Sequence, residues 1–521
     1  SPSARLAPGG VVLVTDDDRG VARALAADLR ALGHPVVRVR HGVSEGGAEG
    51  VNLTSDAAVS ALLDRVREHG PLAGIVHALP LRSLPPAGLD AEAWASRMGP
   101  EVRGLFLLAR AAAEDLARSA EQGGAALIAA TSMGGRFALG DGPFDFFPGQ
   151  GAVAGLVKTL SREWPGVRAR VVDLDPDAEV EVLAADLVHE VRSDDRHAEV
   201  GYRDGQRIAL RTVPAPLFDS HEDEITLDHG DPIIITGGAR GITAAVAADL
   251  ARRWRPTLLL IGSSPRPLDH DDPDLAPLTT TADIKAALHS RARRAGHSVG
   301  PAEIERDFQA LRRAREIRAN LQTLRATGSV VDYAQADVRD ADALGRALAV
   351  WREQYGPPVA LIHGAGVIQD KLLRDKTPES FDRVLGTKLE GALTLARLVD
   401  PQVLKFAALF SSVAGRFGNR GQADYAAANE ALNKLALWLD RRWPCRVVSM
   451  LWGPWSGVGM VSEIEGHLGK RGLGLIPPEI GRARLADELR LGRKGDVEVL
   501  VTADLGPLGE PADPLAKAVM L

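Results

Sequence analysis

The chain of 521 residues carries 62 Lys and Arg against 69 Asp and Glu, a net charge of −7, and 45% of its residues are hydrophobic. That balance, with no long basic block, argues against nucleic acid as a partner, and the length allows several domains whose cores need no disulfide or metal. The single cysteine, Cys445, has nothing to pair with inside the chain, and no apolar run reaches the ~20 residues of a membrane span.

A cytoplasmic protein without metal or membrane partner is therefore expected. The opening SPSARLAPGG has no signal-peptide pattern and reads as the start of a piece excised from a longer protein.

In chain order, the apolar runs VVLVT (11–15), PVVRV (35–39), GIVHA (74–78), ALIAAT (126–131) and ARVVDL (169–174) alternate with Ala/Leu/Arg stretches of helical period. This pattern predicts a parallel sheet covered by helices. The first strand runs into Asp16-Asp17-Asp18-Arg19-Gly20. Three carboxylates where a dinucleotide would place its phosphates predict that this half binds none. The polar run LFDSHEDEITLDHGD, 217–231, reads as a linker.

The series then returns as PIIIT (232–236), LLLIG (258–262), VVDYA (330–334), ALIHG (360–364), FAALFSS (406–412) and RVVSMLW (446–452). Landmarks register about 280 residues apart: His77 with His363, Gly104 with Gly391, Ser132 with Ser412, Trp164 with Trp443. The expectation is an α/β chain of two tandem, Rossmann-like, doubly wound parallel sheets, the first degenerate (1–216) and the second (232–521) carrying the chemistry. An insert, 265–329, separates LLLIG from VVDYA, and its PAEIERDFQALRRAREIRANLQTLRATG predicts a charged helix.

The insert contains Gly296-His297-Ser298-Val299-Gly300, which matches G-x-S-x-G. The nucleophile reading of that motif needs a strand running into it, because the strained strand-to-helix turn is what exposes the serine. DIKAALHSRARRA before Gly296 offers none, so a polar turn between two helices is expected and Ser298 is not the nucleophile.

Strand PIIIT ends at Thr236 and leads into Gly237-Gly238-Ala239-Arg240-Gly241-Ile242-Thr243 and a helix. A glycine turn between a parallel strand and a helix lets backbone N–H groups meet a pyrophosphate. Thr243 replaces the usual third glycine. Arg240, with Ser263, Ser264 and Arg266 after the second strand, and no acid at the end of LLLIG, favours NADPH over NADH.

Further on, Ser412 ends a strand and Tyr425 lies in GQADYAAANE at the start of a helix, which places a hydroxyl and a phenol at the carboxyl edge of the sheet. This resembles the short-chain dehydrogenase/reductase superfamily, and more closely the ketoreductase domain of type I polyketide synthases, including iterative lipid-type synthases. In that family a catalytically silent Rossmann-like subdomain precedes the active one.

The resemblance implies a catalytic set of Ser412, Tyr425, Lys388 in FDRVLGTKLEGALTL, and Asn429 four residues after the tyrosine. It implies cofactor contacts at Thr236, Gly237, Gly238, Arg240, Gly241 and Ile242, at Asp337 and Val338 near the adenine, at Gly364, Ala365 and Gly366, and at Pro454 and Trp455 near the nicotinamide. Asp370 retains one residue of the B-type signature, and Phe417 replaces the tryptophan of A-type enzymes, so B-type delivery is expected. SGVGMVSEIEGHLGKRGLGLIPPE reads as a substrate lid.

The first half keeps Ser132 but has Asp145 and Glu101 where the tyrosine and lysine would stand, and should be structural. The implied partner is an acyl carrier protein bearing a phosphopantetheine-linked β-ketoacyl chain, within a synthase with other domains. A free-standing carbonyl reductase, a non-reducing scaffold and an added epimerase activity are the alternatives.

Overall fold

The computed structural model describes residues 5–83, 90–140, 145–213, 217, 224–457 and 474–504. Strands β1 (Val11–Thr15), β2 (Val36–His41), β3 (Glu49–Val51), β4 (Leu72–His77), β5 (Ala125–Thr131), β6 (Val167–Leu174), β7 (Glu199–Arg203) and β8 (Gln206–Ile208) form one sheet, ordered β3-β2-β1-β4-β5-β6-β7-β8. Strands β9 (Pro232–Thr236), β10 (Thr257–Gly262), β11 (Val330–Gln335), β12 (Ala360–His363), β13 (Phe406–Ser412), β14 (Arg446–Trp452) and β15 (Glu498–Val501) form the other, ordered β11-β10-β9-β12-β13-β14-β15.

All neighbours are parallel except the β7–β8 hairpin. Continuous apolar strands such as Val11–Val14 and Ile233–Ile235 are buried on both faces by flanking helices, as parallel sheets require. Each sheet changes winding direction beside its first strand, between β1 and β4 and between β9 and β12.

The duplication extends to buried polar detail. In the first half Thr15 Oγ1 lies 3.1 Å from His77 Nδ1, and His77 Nε2 donates to the Glu101 carbonyl at 2.8 Å. In the second, Thr236 pairs with His363 at 2.8 Å, and His363 Nε2 donates to the Lys388 carbonyl at 2.8 Å. Burial holds both imidazoles neutral, His77 down at about 4 and His363 at about 3.

The same register puts Glu101 at the place of Lys388, where Arg82 and Arg97 neutralise its buried carboxylate. Asp17, as expected of an acid in that turn, closes the other end. Its carboxylate accepts the N–H groups of Arg19, Val21 and Ala22 at 2.9–3.2 Å, so the first helix is capped by its own chain.

The halves join where helix Gln150–Glu163 lies against helix Ala423–Asp440. Close approach needs glycine there: a Cβ on Gly151 would come within 2.6 Å of the Glu430 carbonyl, and one on Gly155 would strike the Ala426 carbonyl. Between the helices lies a buried ion cluster in which Lys158 faces Glu199 and Glu430 at 3.5 and 3.4 Å, and Lys434 holds Glu430 and Glu498 at 3.3 and 2.7 Å. Removing one member of such a cluster costs about 3–5 kcal/mol because it strands a buried charge.

The expected linker is packed where it is described: Leu227 is buried, the Ile225 N–H donates to the Leu489 carbonyl at 2.9 Å, and Lys405 binds Asp228 and Asp231. The insert holds helices Thr281–Arg294 and Pro301–Arg325. Thr280 caps the first, and the Glu303 carboxylate accepts the Gly300 N–H at the start of the second. Ser298 is exposed in the turn between them, where Gly296 has φ +74°, so no strand delivers it to a nucleophile elbow.

Candidate functional site

A cavity of about 1260 Å³ opens at the carboxyl edge of the second sheet, beside the β9–β12 winding change. Its floor is made of small residues. Gly237 adopts φ +72°, and a Cβ on it would lie 2.9 Å from the backbone of Gly364 and Ala365. The atypical Thr243 is accommodated by Gly364, whose Cβ would lie 2.6 Å from the threonine Cγ2. A Cβ on Gly366 would come within 3.2 Å of Lys388 Nζ.

Gly237, Arg240, Gly241, Ile242, Ser263, Ser264, Asp337, Val338, Pro454 and Trp455 also line the cavity. Thr236 and Gly238 do not: Thr236 is buried against His363, and a Cβ on Gly238 would press on Ile235 and Leu260. Arg266 is exposed and outside the lining. Most of the segment read as a lid, 458–473, lies outside the described residues.

Lys388, Ser412 and Tyr425 converge on this cavity from three elements: helix Pro378–Leu398, the end of β13, and helix Ala423–Asp440. Lys388 is buried, donates to the Phe410 carbonyl at 2.6 Å, and is pushed down to about 8 by desolvation. Burial raises the Tyr425 phenol, against the lowering effect of side-chain hydrogen bonds from Ser412 and Asn429, and the charge of Asp370 raises it further. Ser412 Oγ also accepts the Ala414 N–H at 3.2 Å. Asn429 stands behind the cavity wall, fully buried; its Nδ2 donates to the Tyr425 carbonyl at 2.8 Å and its Oδ1 has no partner among the described residues.

Two of the expected residues have neighbours that the sequence did not show. Arg240 is engaged by the insert: Glu316 accepts from its Nε at 2.7 Å and from the Gly241 N–H at 3.0 Å, while Asn320 donates to the Ala239 carbonyl at 2.9 Å. The insert helix is thus a wall of the cavity, to which it also contributes Arg312 and Arg313. Its charge alone marks that helix as a solvated surface, and only its fold-back onto the glycine turn reveals the role.

Phe417, the other, does not line the cavity; its ring centroid lies 5.7 Å from the guanidinium carbon of Arg416. The residue that does face Asp370 is Gln422, whose Nε2 donates to both carboxylate oxygens at 3.0 and 3.1 Å. Its position three residues before Tyr425 was the available signal.

The glycine floor, the helix N-terminus above it and the cavity's volume fit a dinucleotide, since side chains at Gly237, Gly364 and Gly366 would crowd the floor. No cluster of His, Cys, Asp and Glu suited to a metal occurs among the described residues, and no described helix is long and apolar enough to cross a membrane.

Residues 232–457 match the KR domain family. The chain is 30% identical over 449 residues to one of the subunits of a polyunsaturated fatty acid synthase from Thraustochytrium sp., covering 84% of this chain and 15% of that protein. It is 25% identical over 347 residues to the polyketide synthase PksN of Bacillus subtilis, covering 66% of this chain and 5% of that one. The chain therefore spans only a small fraction of these relatives. Among solved structures it resembles A-type ketoreductases from a modular polyketide synthase (26% identity, TM-score 0.67, covering 95% of this chain and 89% of that one). The first ketoreductase of the tylosin synthase is similar at 25% identity and TM-score 0.65, covering 96% and 92%.

Proposed function

Residues 232–457 belong to the KR domain family, and from that premise we propose that the chain reduces a β-ketoacyl thioester, carried by an acyl carrier protein, to the β-hydroxyacyl thioester with NADPH. The observation that carries the reading is the convergence of Lys388, Ser412 and Tyr425 on one cavity whose floor is the glycine turn. In this reading the bound cofactor supplies a hydride. Gly237, Gly241 and Ile242 would hold its pyrophosphate, Arg240, Ser263 and Ser264 the 2′-phosphate, Asp337 and Val338 the adenine, and Gly364–Gly366 with Pro454 and Trp455 the nicotinamide end.

The Tyr425 hydroxyl donates a proton to the carbonyl oxygen, and the Ser412 hydroxyl hydrogen-bonds the same oxygen as negative charge develops on it. A buried phenol with a raised pKa is a reluctant donor. The Lys388 ammonium, buried at the same cavity, favours the phenolate that proton transfer leaves behind. Asn429, with its free Oδ1, supports a relay that returns the proton from solvent.

B-type delivery and a D-configured β-hydroxyl rest on Asp370, the retained residue of that signature, which lines the cavity and is held by Gln422. NADPH consumption with a β-ketoacyl N-acetylcysteamine thioester tests the proposal. Tyr425→Phe should lower kcat/KM by about 10²–10⁴, the usual contribution of a positioned acid. Reduction of simple ketones alone would overturn the synthase reading, and absence of any reduction would leave a scaffold.

A further inference from the structure

The first half sends one carboxylate behind two segments that line the cavity. Glu163 ends helix Gln150–Glu163, and its two oxygens serve two different segments of the other half. Oε2 accepts the Leu373 N–H at 2.9 Å, at the end of the segment that follows β12 and carries Asp370. Oε1 accepts the Gly421 N–H at 2.9 Å, in the segment that leads through Gln422 into Tyr425.

The same two segments touch directly, through the Lys371 N–H and the Gly421 carbonyl at 3.0 Å and through the Asp370–Gln422 pair. Neighbouring residues of the same helix hold the second segment as well: Arg162 Nε donates to the Phe417 carbonyl at 2.8 Å, and Thr159 Oγ1 accepts the Asn419 N–H at 3.3 Å. Asp370, Asn419 and Gln422 all line the cavity.

A single carboxylate that accepts from two backbone donors fixes their separation, because both oxygens are held on one rigid plane. We propose that Glu163 is a positioning residue for the acyl substrate: from the half with no chemistry, it sets the spacing of the two segments between which a β-ketoacyl chain enters, and with it the face of the ketone presented. This rests on the ketoreductase reading. A second brace from within the catalytic half, the fully buried Lys376–Asp424 pair at 2.8 Å with Lys376 also donating to the Gln369 carbonyl at 2.6 Å, holds the deeper part of the same segments. The mouth should therefore loosen on loss of Glu163 without the fold coming apart.

The test uses the full chain with Glu163→Gln, which keeps one acceptor oxygen but turns an N–H donor toward a backbone N–H, and Glu163→Ala. In both, the Kd for NADPH should stay within twofold of the parent. KM for the β-ketoacyl thioester should rise at least tenfold with a smaller change in kcat, and the ratio of the two β-hydroxy enantiomers should fall at least tenfold.

Amide exchange at Leu373 and Gly421 should speed up at least tenfold in Glu163→Gln, a readout that stands if the alanine variant folds poorly. Unchanged exchange, or an unchanged KM and enantiomer ratio in a variant that binds NADPH, overturns the positioning role. Failure of the parent chain to bind NADPH or reduce any thioester instead overturns the ketoreductase reading itself.

Discussion

Lys388 should be a liability to the fold and its replacement a gain in stability. The ammonium is buried, it donates to the Phe410 carbonyl at 2.6 Å, and its pKa falls from the ordinary 10.5 to about 8. At about 1.4 kcal/mol for each tenfold change in proton affinity, folding bears a penalty of about 3 kcal/mol while the group is charged in both states. Below pH 8 that penalty is fully present. Between about 8 and 10.5 the unfolded chain holds a proton that the folded one has released, so stability rises with pH, and above 10.5 the penalty is gone.

Lys388→Met removes the charge and keeps most of the volume, but leaves the Phe410 carbonyl without its bond, at about 1–2 kcal/mol. The variant should therefore be about 1–2 kcal/mol more stable at pH 7, with the gain shrinking through pH 8–10 and turning into a loss of similar size above. Urea midpoints of both proteins at intervals from pH 6 to 10.5, each with the slope checked, measure this. A variant less stable at pH 7, or a difference that does not change with pH, would refute the desolvation argument. Ketone reduction by the same variant should fall at least tenfold.

Arg240→Ala should raise the Kd for NADPH about tenfold or more and leave that for NADH within about twofold, since one charge-assisted contact to the 2′-phosphate is worth about 1.5–3 kcal/mol; equal loss for both cofactors would contradict NADPH selectivity. Glu316→Gln frees Arg240 and the Gly241 N–H from a competing carboxylate, so NADPH titrations should show binding tightened about threefold or more, and weaker binding would mean that Glu316 instead aims Arg240 at the ligand. Ser298→Ala, in the exposed turn between the insert helices, should leave NADPH-dependent reduction unchanged, and a tenfold loss would reopen the nucleophile reading.

The strands with long β-branched runs were legible because burial on both faces leaves no polar position to blur them. VVLVT, PIIIT, FAALFSS and RVVSMLW coincide with β1, β9, β13 and β14 to the residue. Of the edge strands only β11 was read, from VVDYA; the others were not, because an edge needs little apolar content: β3 is only Glu49–Val51, and β15 is half-buried throughout. The β7–β8 hairpin does carry a sequence signal, Asp204-Gly205, both at positive φ, the dipeptide a tight hairpin turn requires.

At the site, Ser412 falls at a strand end and Tyr425 near a helix start, as their spacing predicts. Glu163 and Glu316 were not legible, since nothing in a linear sequence marks a carboxylate that crosses from the other half or from an insert, and Gln422 was passed over although its place three residues before Tyr425 was a signal. Phe417 failed for the converse reason. Its distance from Tyr425 was right, but the short helix Val413–Phe417 turns its ring toward Arg416.

The capping of the first helix by Asp17 bears on how the two halves diverged. Once a carboxylate from the same turn satisfies those N–H groups permanently, restoring a glycine loop there by single changes passes through intermediates that have lost the cap before any ligand can replace it. The closed turn is in this sense self-locking. It also makes a practical distinction for ligand discovery: dinucleotide-mimicking compounds meet two similar sheets in this chain, and the anion-binding end of one of them is already filled from within.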